Sequence, residues 1–149
     1  MAEYLEKLKQ IFKSHNVVLA YLFGSQKDIG LKYINGGKTR IKQFSDLDIG
    51  VLLKTIPQDM YKTCGNISFD LSNIFKPFNI DISFLHEISY LLKYDVISGH
   101  RIYTANDVFA DEYEEKVVKM ASDLAFKRSQ FEKDFLEALE DGHFEIKLG

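Results

Sequence analysis

The stretch that most constrains this chain is Ser45-Asp46-Leu47-Asp48-Ile49-Gly50-Val51-Leu52-Leu53. It is an apolar run of β-strand character with two acids one residue apart at its front. In a strand, residues i and i+2 point to the same side. Asp46 and Asp48 therefore aim their carboxylates into one small volume, and Ile49, Val51 and Leu53 point the other way. Like charges that close are costly unless a cation lies between them. A hard divalent ion such as Mg²⁺ takes oxygen ligands of this kind. The bland alternative is a turn and strand-edge pair satisfied by backbone N–H groups.

The rest of the chain supplies partners for those acids. Val17 to Phe23 is a continuous apolar run, too short for a typical helix, and is expected as a strand buried on both faces. Gly24-Ser25 ends it abruptly. Gly24 lets the backbone approach a ligand. Ser25 can bind a phosphate oxygen if a helix starts there, or else serve as that helix's cap. From Asn79 to Leu85 the residues alternate strictly, Ile80, Ile82 and Phe84 on one side and Asp81, Ser83 and Leu85 on the other. An acid in such a strand is rare unless paired or ligated. If strands 46–53 and 79–85 are neighbours, Asp81 joins Asp46 and Asp48 on one rim. Three carboxylates there can hold one or two Mg²⁺ for an in-line phosphoryl displacement. The third can also take the proton of an attacking hydroxyl.

The remaining segments read as a frame. Tyr4, Leu5, Leu8, Ile11 and Phe12 form one face of a helix over 2–14. Residues 26–45 are the least regular: a short helical or turn segment, then a Gly36-Gly37 loop or hairpin with Tyr33-Ile34 and Thr39-Arg40-Ile41 as arms. Pro57 is expected in the first turn of a helix carrying Met60, Cys64, Ile67, Leu71, Ile74 and Phe75, stopped by Pro77. Ile88, Leu91, Leu92 and Val96 predict a short helix ended by Gly99, and 101–104 a brief edge strand. A long helix is expected over about 107–140, with a break near Ala110-Asp111. Its stripe of Tyr113, Val117, Met120, Leu124, Phe131, Phe135 and Ala138, interrupted by Arg128, is expected mainly as core, part of it left for a partner or an oligomer.

With 149 residues, 46% of them hydrophobic and 28% charged, the chain is expected to be one globular domain (1–149) rather than disordered. A net charge of −3 gives no reason to expect a nucleic-acid or membrane surface as partner. A single cysteine, Cys64, fits a reducing compartment, and no signal pattern or membrane-length apolar run is visible. A cytoplasmic location is the expectation. His15, His86, His100 and His143 show no metal-ligand spacing.

The order strand–Gly24-Ser25–loop–Asp46-Leu47-Asp48–strand–helix–strand with Asp81 resembles the nucleotidyltransferase superfamily of the DNA polymerase β type, and within it the minimal nucleotidyltransferases, or MNT proteins. The resemblance spans about residues 2–104, and the long terminal helix suits the small bacterial members. It implies an α/β (α+β) fold, a short mixed sheet flanked by helices. It also implies a glycine-serine turn, Gly24 and Ser25, on the nucleoside triphosphate, Asp46 and Asp48 on Mg²⁺, and Asp81 completing the site and activating the acceptor hydroxyl. Small members are often paired with a HEPN-type RNase toxin. The implied function is therefore an antitoxin that transfers AMP from ATP to a tyrosine of such a toxin. Two other readings stay open: a binding module that neutralises its partner by docking alone, and a nucleotidyltransferase for a small molecule of the aminoglycoside kind. The RNase role itself does not fit, because the Arg-x-x-x-x-His motif is absent at Arg40, Arg101 and Arg128. Two departures from the family stand out. Twenty residues (26–45) separate Ser25 from Asp46, where the family has a shorter connection. Gln26-Lys27-Asp28-Ile29 also replaces a segment in which many small members carry Arg-Gly, leaving Lys27, Lys38, Arg40 or Lys42 as substitutes for the basic phosphate contact.

Overall fold

The computed structural model describes residues 2–38, 46–76 and 78–142. In chain order the elements are α1 (Ala2–Ser14), β1 (Val17–Phe23), α2 (Lys27–Ile34), β2 (Asp46–Leu53), α3 (Met60–Ile74), β3 (Asn79–Phe84), α4 (Tyr90–Ile97), β4 (His100–Thr104) and α5 (Asp107–Glu140), with a single 3₁₀ turn at Leu85–Glu87. The strands form one sheet in the order β3-β2-β1-β4. β1 is antiparallel to both neighbours, and β2 and β3 run parallel. A parallel pair needs a crossover rather than a tight turn, and α3 supplies it.

Periodicity decides which face each residue serves. Leu47, Ile49, Val51 and Leu53 point to the side covered by α1, α2 and α3, where they meet Leu8, Phe12, Ile34, Ile67, Leu71 and Phe75. Burying each aliphatic side chain fully stabilises by roughly 1.5–3 kcal/mol, so this face holds most of the core. The opposite face gathers Leu19, Tyr21, Leu85, Val96 and Ala110 under α4 and α5. A Cβ on Gly50 would lie 2.4 Å from Val96 Cγ1, so the absence of a side chain there lets α4 approach the sheet. Side-chain oxygens cap three helices: Asp59 accepts from Lys62 N (3.0 Å), Ser89 from Leu92 N (3.3 Å) and Asn106 from Phe109 N (3.0 Å).

A polar cluster ties α5 to the sheet. The fully buried Tyr21 donates its phenol hydrogen to Glu114 Oε1 at 3.0 Å. Arg101 of β4 donates to Glu114 Oε2 and, at 3.1 Å, to Asp111. Burial and the Glu114 carboxylate push the Tyr21 phenol well above its ordinary pKa, so it stays neutral and donating.

Several elements differ from expectation. Tyr33 and Ile34 belong to α2 rather than to a hairpin arm, while Thr39, Arg40 and Ile41 lie outside the described residues. Pro57 precedes the Asp59 cap instead of entering the first turn of α3; Pro77 lies outside the described residues. β3 ends at Phe84, with Leu85 already in the 3₁₀ turn, and Ile88 precedes α4. α5 is unbroken at Ala110-Asp111. Its stripe is core only as far as Ala121, and every residue from Ser122 to Glu137 is exposed. Among the described residues, no helix is long and apolar enough to cross a membrane.

Candidate active site

Parallel pairing of β2 with β3 sets Asp48 directly beside Asp81, and Asp46 beside Asn79. Antiparallel pairing of β1 with β2 sets Phe23 beside Asp48. The next residue, Gly24, has φ +77°, a left-handed conformation that favours glycine. A Cβ built there would stand 2.2 Å from Asp48 Oδ2, so the turn presses its bare backbone against that carboxylate. The sheet thus brings Gly24, Asp48 and Asp81 together at one end of three adjacent strands. Asp46 stands two residues before Asp48 on the same face, exposed at the mouth.

The electrostatics follow from the crowding. Asp48 is half-buried, and its carboxyl is pushed above the ordinary range. Burial is the first cause, followed by the charges of Asp81 and Asp46 and a hydrogen bond shared with Asp81. Among the described residues, no group of three or more His, Cys, Asp or Glu side chains is already gathered closely enough to hold a metal ion. The donors nevertheless fit Mg²⁺ in kind. All three are hard carboxylate oxygens, and the strain on Asp48 is of the sort that a divalent cation relieves.

Ser25 is exposed beside Gly24, at the entry to α2. It is not the helix cap: Gln26 holds that position, and its side chain makes no capping bond. Two features near the turn, and one at the far end of β3, carried no sequence signal. Gln26 is buried, and among the described residues its Oε1 lacks a hydrogen-bond partner. Asp28, in the first turn of α2, meets His100 Nε2 at 2.7 Å across from β4. That contact lies in the Gln26-Lys27-Asp28-Ile29 segment, where the resemblance leads one to expect a basic phosphate contact. His86, past the C-terminal end of β3 and so away from the turn, packs against Phe84 with ring centroids 5.7 Å apart, and among the described residues its buried Nε2 has no hydrogen bond. Of the basic residues offered as substitutes, Lys27 lies in α2 and Lys38 is exposed, while Arg40 and Lys42 lie outside the described residues.

A glycine turn seated on Asp48, with Asp46 two residues before it and Asp81 on the adjoining strand, is the arrangement expected of an enzyme of the nucleotidyl-transfer class. The chain belongs to the polymerase beta nucleotidyltransferase family, whose model matches residues 6–108. Among solved structures it is similar to a toxin–antitoxin with AMP-PNP (19% identity, TM-score 0.61, covering 89% of this chain and 98% of that one). It is equally similar to a tri-AMPylated Shewanella oneidensis HEPN toxin in complex with MNT antitoxin (17% identity, TM-score 0.61, covering 91% and 98%). A third likeness is to the toxin–antitoxin MntA–HepT (16% identity, TM-score 0.61, covering 91% and 99%). At these identities the likeness is one of fold, and it extends over nearly the whole of those chains. No curated protein matches the chain.

Proposed function

We propose that this chain is an antitoxin-type nucleotidyltransferase that transfers AMP from ATP to a tyrosine hydroxyl of a HEPN toxin. The observation that carries the reading is Asp48, lying against the bare backbone of Gly24 and paired with Asp81 on the adjoining strand. Asp46, Asp48 and Asp81 would hold Mg²⁺, which when bound supplies charge neutralisation for phosphoryl transfer. Gly24 and Ser25 take the triphosphate, Gly24 by close backbone approach and Ser25 through its hydroxyl and N–H. Asp81 accepts the proton of the acceptor hydroxyl as that oxygen attacks the α-phosphorus. The bond from the α-phosphorus to the bridging oxygen breaks, and pyrophosphate leaves. Support for the nucleotide comes from the structural neighbour bound to AMP-PNP. Support for the acceptor comes from the neighbour whose partner toxin is tri-AMPylated.

One observation favours a second reading, docking without catalysis: Asp28 is engaged by His100 where the family carries a basic phosphate contact. Labelled ATP, Mg²⁺ and the candidate toxin, followed by intact-mass measurement, separate the two. AMP-sized mass gains that vanish in Asp46→Ala and Asp48→Ala support transfer. No gain with the wild type, together with unimpaired neutralisation by both variants, refutes transfer and leaves docking.

A further inference from the structure

In the nucleotidyl-transfer reading the Gly24-Ser25 turn receives the triphosphate and runs directly into α2. The two ends of that helix are held very differently. At the far end Tyr33 shares its phenol hydrogen between Ile74 O (3.0 Å) and Lys76 O (2.8 Å), and Ile34 is buried. The Tyr33 ring also lies against Tyr4, Phe75 and Phe78. The near end is held by less. Gln26, at the cap position, makes no side-chain capping bond, and the backbone bond from Lys27 N to Gly24 O is long, at 3.4 Å. Among the described residues, one side-chain hydrogen bond leaves the first turn of α2: His100 Nε2 donates to Asp28 Oδ1 at 2.7 Å.

The sheet fixes the other side of that bond. In the antiparallel register of β4 on β1, His100 lies beside Leu22, two residues before Gly24. A Cβ on Gly99 would fall on Leu22 O, so the absence of a side chain lets β4 begin hard against the end of β1. His100 thus reaches from an anchored strand to the turn of helix that follows Ser25. We propose that Asp28 and His100 are a positioning pair: their hydrogen bond holds the first turn of α2 against β4, and so sets the Gly24-Ser25 turn in the arrangement that receives a nucleoside triphosphate. The inference rests on the nucleotidyl-transfer reading and deepens it by naming what fixes the geometry of that turn.

The pair is suited to controlling position rather than stability. The Asp28 side chain is 80% exposed and that of His100 33%, so water competes for both partners and the bond contributes little to folding. Its effect falls on the fraction of chains whose turn is ready to bind, and apparent affinity follows that fraction. Charge alone predicts the opposite sign. A carboxylate three residues past Ser25 repels a triphosphate, so on charge alone removing Asp28 would tighten nucleotide binding. Loss of a tether weakens it.

The test is equilibrium dialysis of labelled ATP with Mg²⁺ against the full chain, read beside thermal scans and the amide resonances of Gly24 and Ser25. His100→Ala and Asp28→Ala are each expected to weaken binding about threefold to tenfold. The double variant loses no more, because both changes break one bond. Each single variant shifts the Gly24 and Ser25 amides and leaves the thermal transition nearly where it was. His100→Gln keeps an N–H for Asp28, and Asp28→Asn keeps a side-chain oxygen for His100, so each restores most of the affinity. His15→Ala is the control. It breaks a second histidine–aspartate pair, His15 Nε2 to Asp70 Oδ2 at 2.7 Å, at the opposite end of β1, and is expected to leave binding unchanged. Unchanged or tighter binding by Asp28→Ala or His100→Ala overturns the proposal while leaving the transfer reading intact. A loss that the conservative variants fail to restore, or an equal loss in His15→Ala, overturns it too. A wild-type chain that binds no triphosphate overturns the transfer reading itself, and this inference with it.

Discussion

Gly24→Ala adds one methyl group and tests the site at its tightest point. The backbone there has φ +77°, which costs a non-glycine residue about 1–2 kcal/mol. At this chain length that corresponds to a fall in Tm of about 2–8 °C. The larger consequence is chemical. The new Cβ would fall 2.2 Å from Asp48 Oδ2, well inside any real contact, and the carboxylate is the flexible partner that must give way. A displacement of about 1 Å at a catalytic group costs on the order of a hundredfold in rate. Gly65→Ala is the control, since it lies within α3 and an added Cβ meets nothing within 4 Å. It is expected to stabilise by about 0.5–1 kcal/mol and leave transfer unchanged. Differential scanning fluorimetry reads the stability of both variants, and single-turnover transfer of labelled AMP reads the chemistry. A Gly24→Ala protein that transfers at the wild-type rate would refute the argument that Asp48 works from the position in which Gly24 leaves room for it.

Two further outcomes follow from the charge arrangement. Asp48 binds its proton more tightly in the folded than in the unfolded chain, so its contribution to stability is present at low pH and is lost as pH rises through its raised folded pKa. At neutral pH, Asp48→Asn is therefore expected to raise the Tm of the metal-free protein while abolishing transfer, and Mg²⁺ to raise the Tm of wild type but not of the variant; thermal scans with and without the ion check both. Glu114→Ala leaves the buried Tyr21 hydroxyl and the Arg101 guanidinium without their acceptor, a cost of about 1–3 kcal/mol. Tyr21→Phe removes the donor along with the need for it and is expected to cost less, as chemical denaturation of the two variants would reveal.

The site was legible in the sequence to the extent that it depends on period and order. Asp46 and Asp48 lie on one side of β2 because strand side chains alternate, and the alternation around Asp81 identified β3 from its own residues. Gly30 gave no signal of its role: an added Cβ would stand 2.6 Å from Leu47 Cδ1, so the glycine is what lets α2 lie against the sheet. The Tyr21–Glu114–Arg101 cluster left no trace because its members come from β1, α5 and β4, and only the strand order brings them together. The stripe on α5 was visible as a pattern. Its division into a buried and an exposed half was not, since periodicity records which side of a helix is apolar and not what covers it.

The parallel pairing of β2 with β3 also bears on how the protein comes apart. Asp48 and Asp81 meet only after the chain has passed through α3 and returned, a non-local contact of the kind that forms late in folding. Their mutual repulsion is then largely missing from the transition state and present in full in the native one. Interactions of that class act on the rate of unfolding and leave the rate of folding nearly untouched. Crowding these acids at one end of the sheet is thus expected to shorten the lifetime of the native state without hindering the approach to it.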